Sequence, residues 1–522
     1  MADAANPRAD AEQTPSSPQQ TDRAKRESGV SALAKNILVV SDLHFGEQLL
    51  PGASADRRRA VELGEQAFRE FLRYHRVRRV DGRPWRLVIA GDLFDFMSVV
   101  IPATREVPAK SADERRHGLS RGVGSGVLRM ARLGEAHREL LADMVEFARR
   151  GHSVDVIVGN HDVELLAPEV VAEWERQLRA ASDAAHGAAA AGSMTRGGDD
   201  AALARIRIVP WFVYVPGVAW IEHGHVYDEG CSFEFNLAPY DPKDGRLIYN
   251  ADYAAVRYLG SAQPDLDPHG IEEWAFTGYL RYAAEQGVRS FGRLFIAYMR
   301  FSWGLVGARA LHQSLRRRDA RRRVHRERLA QVARAGGIPV ETASAIDRLA
   351  RTPLTVSWRR LGRLLVLDRW GLMAGTAAAI VAMLWLLPLV WALAGVAGAV
   401  GIALGVQRWL GKHLVTSQLP MRAVPQRLRR HVDAPVVVFG HTHDPRWQPL
   451  RGDGIYVNSG TWLPATRPGL RRSFTYVRIQ PRSGAAPLCE LRQWREGASL
   501  PFDAGADLGA GVTSGGIAAV AL

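Results

Sequence analysis

The chain has 522 residues, 47% of them hydrophobic and 23% charged, enough for a sizeable core and for two or three domains. Its formal net charge of +14 implies an anionic partner, whether a nucleic acid, an acidic membrane face or a phosphorylated substrate, and charge alone does not choose among them. Two distant cysteines, Cys231 and Cys489, give no basis for a disulfide scaffold and read as ordinary packed residues in a reducing compartment.

Residues 1–35 are rich in Ala, Pro, Ser, Gln and charge, lack the apolar stretch of a secretory signal, and are expected to form a disordered tail. The apolar run Ile37-Leu38-Val39-Val40 then leads into Ser41-Asp42-Leu43-His44. An amphipathic stretch, Asp56 to His75, separates it from Leu87-Val88-Ile89-Ala90, which leads into Gly91-Asp92-Leu93-Phe94-Asp95. A second amphipathic stretch, Leu133 to Arg150, precedes the run Val154 to Val158 and the cluster Gly159-Asn160-His161-Asp162. This alternation of strand and helix patterns predicts α/β layering. The Ala/Gly-rich patch Ala180 to Ala204 reads as a loop or a weakly ordered excursion, and Glu222-His223-Gly224-His225 is the fourth cluster.

Residues 232–433 read as a long, mainly helical insertion. Its segment Leu315 to Arg328 is crowded with arginines and as a helix would be strongly basic, either simply solvated or touching anionic lipid headgroups. Farther on, Gly371 to Val406 contains no charged, His, Asn or Gln residue. A straight helix of that length would extend about 54 Å, well beyond a hydrocarbon core of about 30 Å. Pro388 near its middle and Gly395, Gly398, Gly401 and Gly405 after it favour a hairpin of two short transmembrane spans. Arg359, Arg360, Arg363 and Arg369 precede the run, and Arg408, Lys412, Arg422, Arg427, Arg429 and Arg430 follow it, so the positive-inside rule puts both flanks in the cytoplasm. A helical hairpin buried in a large soluble domain is the competing reading.

After the insertion, Pro435 to Phe439 leads into Gly440-His441-Thr442-His443, and Ile455 to Val457 and Phe474 to Val477 read as strands completing the same core. The expected division is thus a tail at 1–35, a core in two parts at 36–231 and 434–502, the insertion between them with its apolar hairpin at 371–406, and a flexible tail at 503–522.

The five clusters carry the chemistry. Oxygen and imidazole ligands arriving from the ends of successive strands are what two metal ions need, because a carboxylate can bridge nearby cations while neutral imidazoles and an amide complete each shell. Two such cations reduce the pKa of a water between them, which makes phosphate ester hydrolysis the natural reaction. His441 and His443 follow the apolar run and the other ligands precede it, so a shared aqueous site requires an even number of crossings.

In order and content the clusters resemble the calcineurin-like metallophosphoesterase superfamily, whose pattern is Asp-x-His, Gly-Asp-x-x-Asp, Gly-Asn-His-Asp/Glu, a His-Gly pair and Gly-His-x-His. The resemblance implies a four-layer α/β/β/α sandwich with the site at strand ends. It implies that Asp42, His44 and His443 hold one ion, that Asn160, His223 and His441 hold the other, and that Asp92 bridges both. The ions would be Mn, Fe or Zn, and the attacking group a hydroxide between them. It also implies that His161 faces the substrate and either protonates the leaving group or stabilises the transition state, oriented and charged by Asp95. His225 is expected to face substrate or solvent, Glu222 to be structural, and Asn458-Ser459-Gly460-Thr461 to be a turn without catalytic duty.

One bacterial branch with similar motifs cleaves the pyrophosphate of a nucleotide-linked lipid A precursor, but it has Arg where this chain has His161 and lacks so large an insertion. The expected function is therefore broader: a membrane-anchored phosphoesterase at the cytoplasmic face, acting on a cytosolic or lipid-linked phosphate mono- or diester. A nucleic-acid phosphodiesterase is the second reading, although no aromatic-rich basic groove motif is present. A noncatalytic metal-binding scaffold is the third.

Overall fold

The computed structural model describes residues 35–187, 196–261, 288–365, 367–411, 423–464 and 473–502. The expected tails lie outside the described residues, Lys35 apart. The strands are β1 (Asn36–Val40), β2 (Trp85–Ala90), β3 (Ser153–Ile157), β4 (Ile206–Val209), β5 (Phe212–Val215), β6 (Ala219–Glu222), β7 (Val436–Phe439), β8 (Arg446–Leu450), β9 (Gly454–Asn458), β10 (Thr475–Arg482), β11 (Ala485–Arg495) and β12 (Ala498–Pro501). The helices that matter for the site and its supports are α1 (Ala55–Val77), α2 (Val123–Ala136), α3 (Arg138–Arg149), α4 (Pro168–Gly187), α5 (Ala251–Ala255), α6 (Val288–Gln313), α7 (Leu315–Ala335), α8 (Val340–Asp347), α9 (Trp358–Leu364), α10 (Leu367–Leu386), α11 (Leu389–Gly411) and α12 (Val424–Leu428).

The chain is mixed α/β, as expected, with two mixed sheets. The first runs β12-β11-β10-β1-β2-β3-β4, parallel from β1 to β4 and antiparallel from β1 through β10 to β12. The second runs β5-β6-β7-β9-β8, with β6, β7 and β9 parallel at its centre. Strand β7 lies directly beside β6, pairing Val436 with Ala219, although residues 223–435 intervene in sequence.

Alternation along β1 shows how the layers are held. Leu38 and Val40 point to one side and pack with Phe68 and Phe71 of α1, Met130 of α2, Met144 of α3 and Trp174 of α4. Ile37 and Val39 point to the other side, where with Val88 and Ile157 they meet Ile221, Val438, Ile455 and Val457 of the second sheet. Because both faces of these strands are covered, they read as continuous apolar runs rather than as alternating ones. The far face of the second sheet, with Trp220, Val437, Phe439 and Tyr456, packs on Leu329 and Val332 of α7, Ile346 of α8 and Leu428 of α12. A separate cluster joins Ala251 and Ala254 of α5, Phe301 and Leu305 of α6, and Leu361 of α9.

Three expectations need correction. Ala180–Gly187 and Arg196–Leu203 are helical rather than loop, in keeping with the high helix propensity of alanine. The expected helix Leu133 to Arg150 is two helices, α2 and α3, broken at His137. Helix α7 is not basic all round: Arg321 is buried, Arg317 pairs with Asp241, and Arg318 and Arg321 pair with Glu234. Arg316, Arg322, Arg323 and Arg326 remain exposed.

The apolar segment forms two helices packed on each other, α10 and α11, separated at Leu387 and Pro388. Proline lacks the N–H that a continuing helix would use, which accounts for the break. Of Gly395, Gly398, Gly401 and Gly405, only Gly395 lies against the neighbouring helix, where an added Cβ would come within 2.8 Å of Met383 Sδ; the other three have nothing within 4 Å. Among the described residues one helix is long and apolar enough to cross a membrane, over Leu389–Val406, and only 6% of that span is buried; Gly371–Leu386 is a shorter apolar helix.

Candidate metal centre

Asp42 follows β1, Asp92 follows β2, Asn160 follows β3, His223 follows β6 and His441 follows β7. All five therefore leave the carboxyl ends of parallel strands, where open α/β sheets place their ligands. The loops are strained in a consistent way. Asp42, His44, Asp92, His441 and His443 have φ of 54°, 50°, 54°, 70° and 54°, a left-handed region that non-glycine residues rarely enter. Such conformations cost about 1–3 kcal/mol each and persist where the surroundings enforce them, commonly at functional sites.

The enforcing contacts are specific. Asp42 Oδ1 and Oδ2 accept from the His441 amide at 3.2 and 3.0 Å, and Ser41 Oγ donates to the same carboxylate. The Asp42 carbonyl accepts from Thr461 Oγ1 at 2.9 Å, and Asn458 Nδ2 donates to the Gly440 carbonyl at 2.7 Å. The segment Asn458–Thr461 thus braces two ligand loops from behind. Asp162 ties two others together, accepting from the amides of Gly159 at 2.7 Å and Leu93 at 2.9 Å; burial is the main reason its pKa rises to about 7. A Cβ at Gly159 would lie 2.1 Å from Asp92 Oδ1, and one at Gly440 2.6 Å from Asp42 Oδ2, so glycine is required at both positions.

The donor atoms converge. Asp42, His44 and His443 form one group, and Asp42, Asp92 and His223 another, with ligand atoms inside each group no more than 4.8 Å apart. His443 Nε2 lies 3.2 Å from Asp42 Oδ1, and His44 Nε2 lies 3.1 Å from His443 Nε2 and 3.8 Å from Asp92 Oδ2. On the other side His223 Nε2 lies 3.1 Å from Asp92 Oδ2 and 3.0 Å from Asn160 Oδ1. The Asp92 carboxylate therefore stands between the two sets.

These atoms fit a divalent cation on chemical grounds. His223 Nδ1 lies 2.9 Å from the Ala90 carbonyl, an acceptor, so it carries the proton and Nε2 is left facing two oxygens. An imidazole nitrogen between two oxygens requires a positive charge, either a proton or a metal. As a proton site, burial disfavours the charged ring but Asp92 outweighs it, raising the His223 pKa to about 9. Burial likewise works against ionised Asp92, yet His223, His161 and His44 hold its pKa well below the carboxylate range.

His161 is placed differently. Its Nδ1 lies 3.0 Å from Asp95 Oδ1, and the Asp95 carboxylate is held by the Met97 amide at 3.0 Å and by Ser98 Oγ. Burial opposes a charged ring here too, but Asp92 and Asp95 raise the His161 pKa well above its ordinary value. Its Nε2 is left facing the site, and it also lies close enough to His44 and Asp92 to be counted with them as a possible ligand. Glu222 is structural as expected, its buried carboxylate accepting from Trp211, Trp220 and Tyr227 at 2.8, 3.0 and 2.8 Å. His225 is buried rather than at the solvent; it lines a small cavity with Trp211 and Leu237, and burial pushes its pKa well below the ordinary value.

Two carboxylates were not legible as site residues. Asp228 Oδ2 lies 3.2 Å from His441 Nε2, and these two form a third possible metal-holding group with Cys231. Asp252, from the first turn of α5, accepts from Asn160 Nδ2 at 2.8 Å and lies 3.8 Å from His161 Nε2. Position five after His223 was the available signal for Asp228, whereas nothing in the sequence around Asp252 marks it. The side chains of Asp42 and His44 are fully buried, while those of His443 and Asp252 keep 17% and 18% exposure, so the centre opens to solvent along their edge. No protein-family model matches the chain, and a search of curated proteins finds no match.

Proposed function

We propose that this chain is a metal-dependent phosphoesterase of the calcineurin-like superfamily, hydrolysing phosphate mono- or diesters at the cytoplasmic face of a membrane. The observation that carries the reading is the Asp92 carboxylate, buried between an Asp42–His44–His443 set and an Asn160–His223 set at the carboxyl ends of parallel strands. The three apolar layers, one between the sheets and one under each outer face, support a four-layer α/β/β/α arrangement.

Asp42, His44 and His443 would hold one divalent ion, Asn160, His223 and His441 the other, and Asp92 both. When bound, such a pair supplies Lewis acidity toward phosphoryl oxygens and makes a water between the ions more acidic. His161 carries the proton that the leaving alkoxide needs. Asp95 accepts from Nδ1 and fixes the ring, so Nε2–H points into the site as the general acid. Asn160 is held by Asp252, which sets the direction of its amide oxygen toward His223 Nε2.

The hairpin α10–α11 would anchor the chain, since its apolar side chains find little protein cover. A membrane-linked substrate suits that placement better than nucleic acid does. The test is hydrolysis of bis-para-nitrophenyl phosphate and para-nitrophenyl phosphate by the purified full chain with Mn²⁺, alongside metal content by mass spectrometry. Turnover and metal stoichiometry that survive Asp92→Asn unchanged would remove the mechanism. Recovery of the full chain in the soluble fraction without detergent would remove the anchor.

A further inference from the structure

Helix α6 has two faces with opposite surroundings. On the inner face, Phe301 and Leu305 pack with Leu361 and Leu365, and the Tyr298 hydroxyl donates to the Leu365 carbonyl at 2.6 Å. The Arg309 guanidinium sits 5.7 Å from the centre of the Trp358 ring on α9. Leu365 lies two residues before α10, so these contacts fix α6 to the root of the apolar hairpin.

On the outer face, Phe295, Ile296, Met299 and Trp303 are exposed, Trp303 by 70%. At 3.6 residues per turn these positions fall within an arc of about 100°, making one stripe rather than scattered side chains. The 26 residues of α6 include no Asp or Glu, while Arg289, Arg293, Arg300 and Arg309 are among them. The exposed arginines Arg316, Arg322, Arg323 and Arg326 of α7 follow directly in sequence. A contiguous stripe of large apolar side chains is uncommon on a soluble surface, and the acid-free, arginine-bearing composition of the helix that carries it suits an anionic surface.

We propose that the outer face of α6 is a bilayer-contact surface, lying in the headgroup region of an anionic membrane beside the hairpin. The proposal rests on the reading of α10–α11 as a membrane anchor and adds a second contact to it. Tryptophan favours the headgroup level, where its apolar ring body and polar N–H are both accommodated, and arginines are attracted to an anionic leaflet. The inner face of the same helix packs on α5, whose Asp252 reaches Asn160. The lipid contact and the mouth of the metal centre thus share one small cluster of helices, an arrangement suited to a substrate presented from the membrane.

The test uses the full chain reconstituted into phosphatidylcholine vesicles, with and without phosphatidylglycerol, each carrying nitroxide-labelled lipid. A fluorophore is attached through Trp303→Cys or, separately, Met299→Cys. Trp385→Cys in the hairpin and Asp453→Cys on an exposed turn serve as positive and negative controls, and signal from the buried Cys231 and Cys489 is subtracted with the unsubstituted chain. The expected result is quenching at 303 and 299 several-fold above that at 453, increased by phosphatidylglycerol. If 385 is quenched while 303 and 299 match 453, the surface assignment is wrong and the anchor stands. If 385 is also unquenched, the anchor fails and the surface assignment with it. Shielding at 303 that grows with protein concentration, without lipid quenching, identifies a second copy as the occupant and equally overturns the proposal.

Discussion

Strand β7 and helix α11 are made of the same kinds of residue, and the fold treats them in opposite ways. Every residue of Val436–Phe439 is buried, with Val436 and Val438 against the first sheet and Val437 and Phe439 against α7, α8 and α12. Over Leu389–Val406 only 6% is buried, and Trp385 in the facing helix is 87% exposed. Apolar composition therefore does not decide burial; a matched second surface does. The sheets provide one for each other, whereas the two hairpin helices find one mainly in each other along part of their surface, and on the proposed reading lipid covers the rest. Among the described residues the left-handed non-glycine positions all lie in the core and none in the insertion, although both regions bury charge.

The largest test of this contrast is Asp92→Asn. Because the Asp92 carboxylate serves both ligand sets, the neutral amide should lower kcat/KM on both nitrophenyl substrates on the order of 10³-fold, the scale of losing a buried group that stabilises transition-state charge. Metal content should fall in parallel. A near-neutral effect would mean that the core clusters are structural polar networks and nothing more.

Next in size is the buried ion pair of Arg121 and Glu164, both with fully buried side chains. Glu164→Gln leaves the guanidinium without its counter-charge and should destabilise the chain by about 3–5 kcal/mol, the usual result of removing one partner of a buried pair. In the insertion Arg318 is partly exposed and its buried partner Glu234 also pairs with Arg321, so Arg318→Ala should bring a much smaller loss. Denaturant midpoints at unchanged slope measure both, and equal losses would erase the distinction between the two regions.

The core also holds a neutral histidine. His75 is buried among Phe71, Trp85 and Trp494, its Nδ1 lies 2.9 Å from the Phe71 carbonyl, and burial lowers its pKa to about 3. The unfolded chain binds a proton at His75 below about pH 6.5 and the folded chain does not, so stability is present above that pH and declines as pH falls toward 3. Between pH 7 and pH 5 this one group should remove about 2 kcal/mol. His75→Gln should abolish that share of the pH dependence, read as the difference between the two chains' unfolding curves.

These tests separate what the sequence discloses from what it does not. Asp92, Asn160, His223 and His441 stand beside glycines, and Asp42, His44 and His443 sit in equally short clusters, all just after apolar strand-like runs, so local chemistry and strand pattern announce them together. The break at Pro388 was legible for the same reason, because it follows from one residue's missing N–H. Contacts made by distant segments left no local mark. Asp252 meets Asn160 across 92 positions, and Arg318 meets Glu234 across 84. The arginines of α7 looked like a uniform basic face because a charge run shows its own sign and not its partners. Gly398, Gly401 and Gly405 suggested a close helix contact by spacing, but spacing does not say which side of α11 the partner takes.

The smallest expected effect falls on the one described side chain of the insertion that reaches both Asn160 and His161. Asp252 brings a negative charge within 3.8 Å of His161 Nε2, at the edge where the centre opens. A phosphate monoester carries roughly one more negative charge than a diester at neutral pH, so this carboxylate should disfavour monoesters. For a charge separation of about 6 Å and an effective dielectric near 40, the difference is about 1.4 kcal/mol, or tenfold. Asp252→Asn preserves an oxygen that can accept from Asn160 and removes the charge. It should raise the rate ratio of para-nitrophenyl phosphate to bis-para-nitrophenyl phosphate about tenfold, with an effect that shrinks as salt screens the edge. An unchanged ratio with both rates reduced would make Asp252 a brace for Asn160 alone, and the insertion would then set the position of the core's ligands without selecting its substrate.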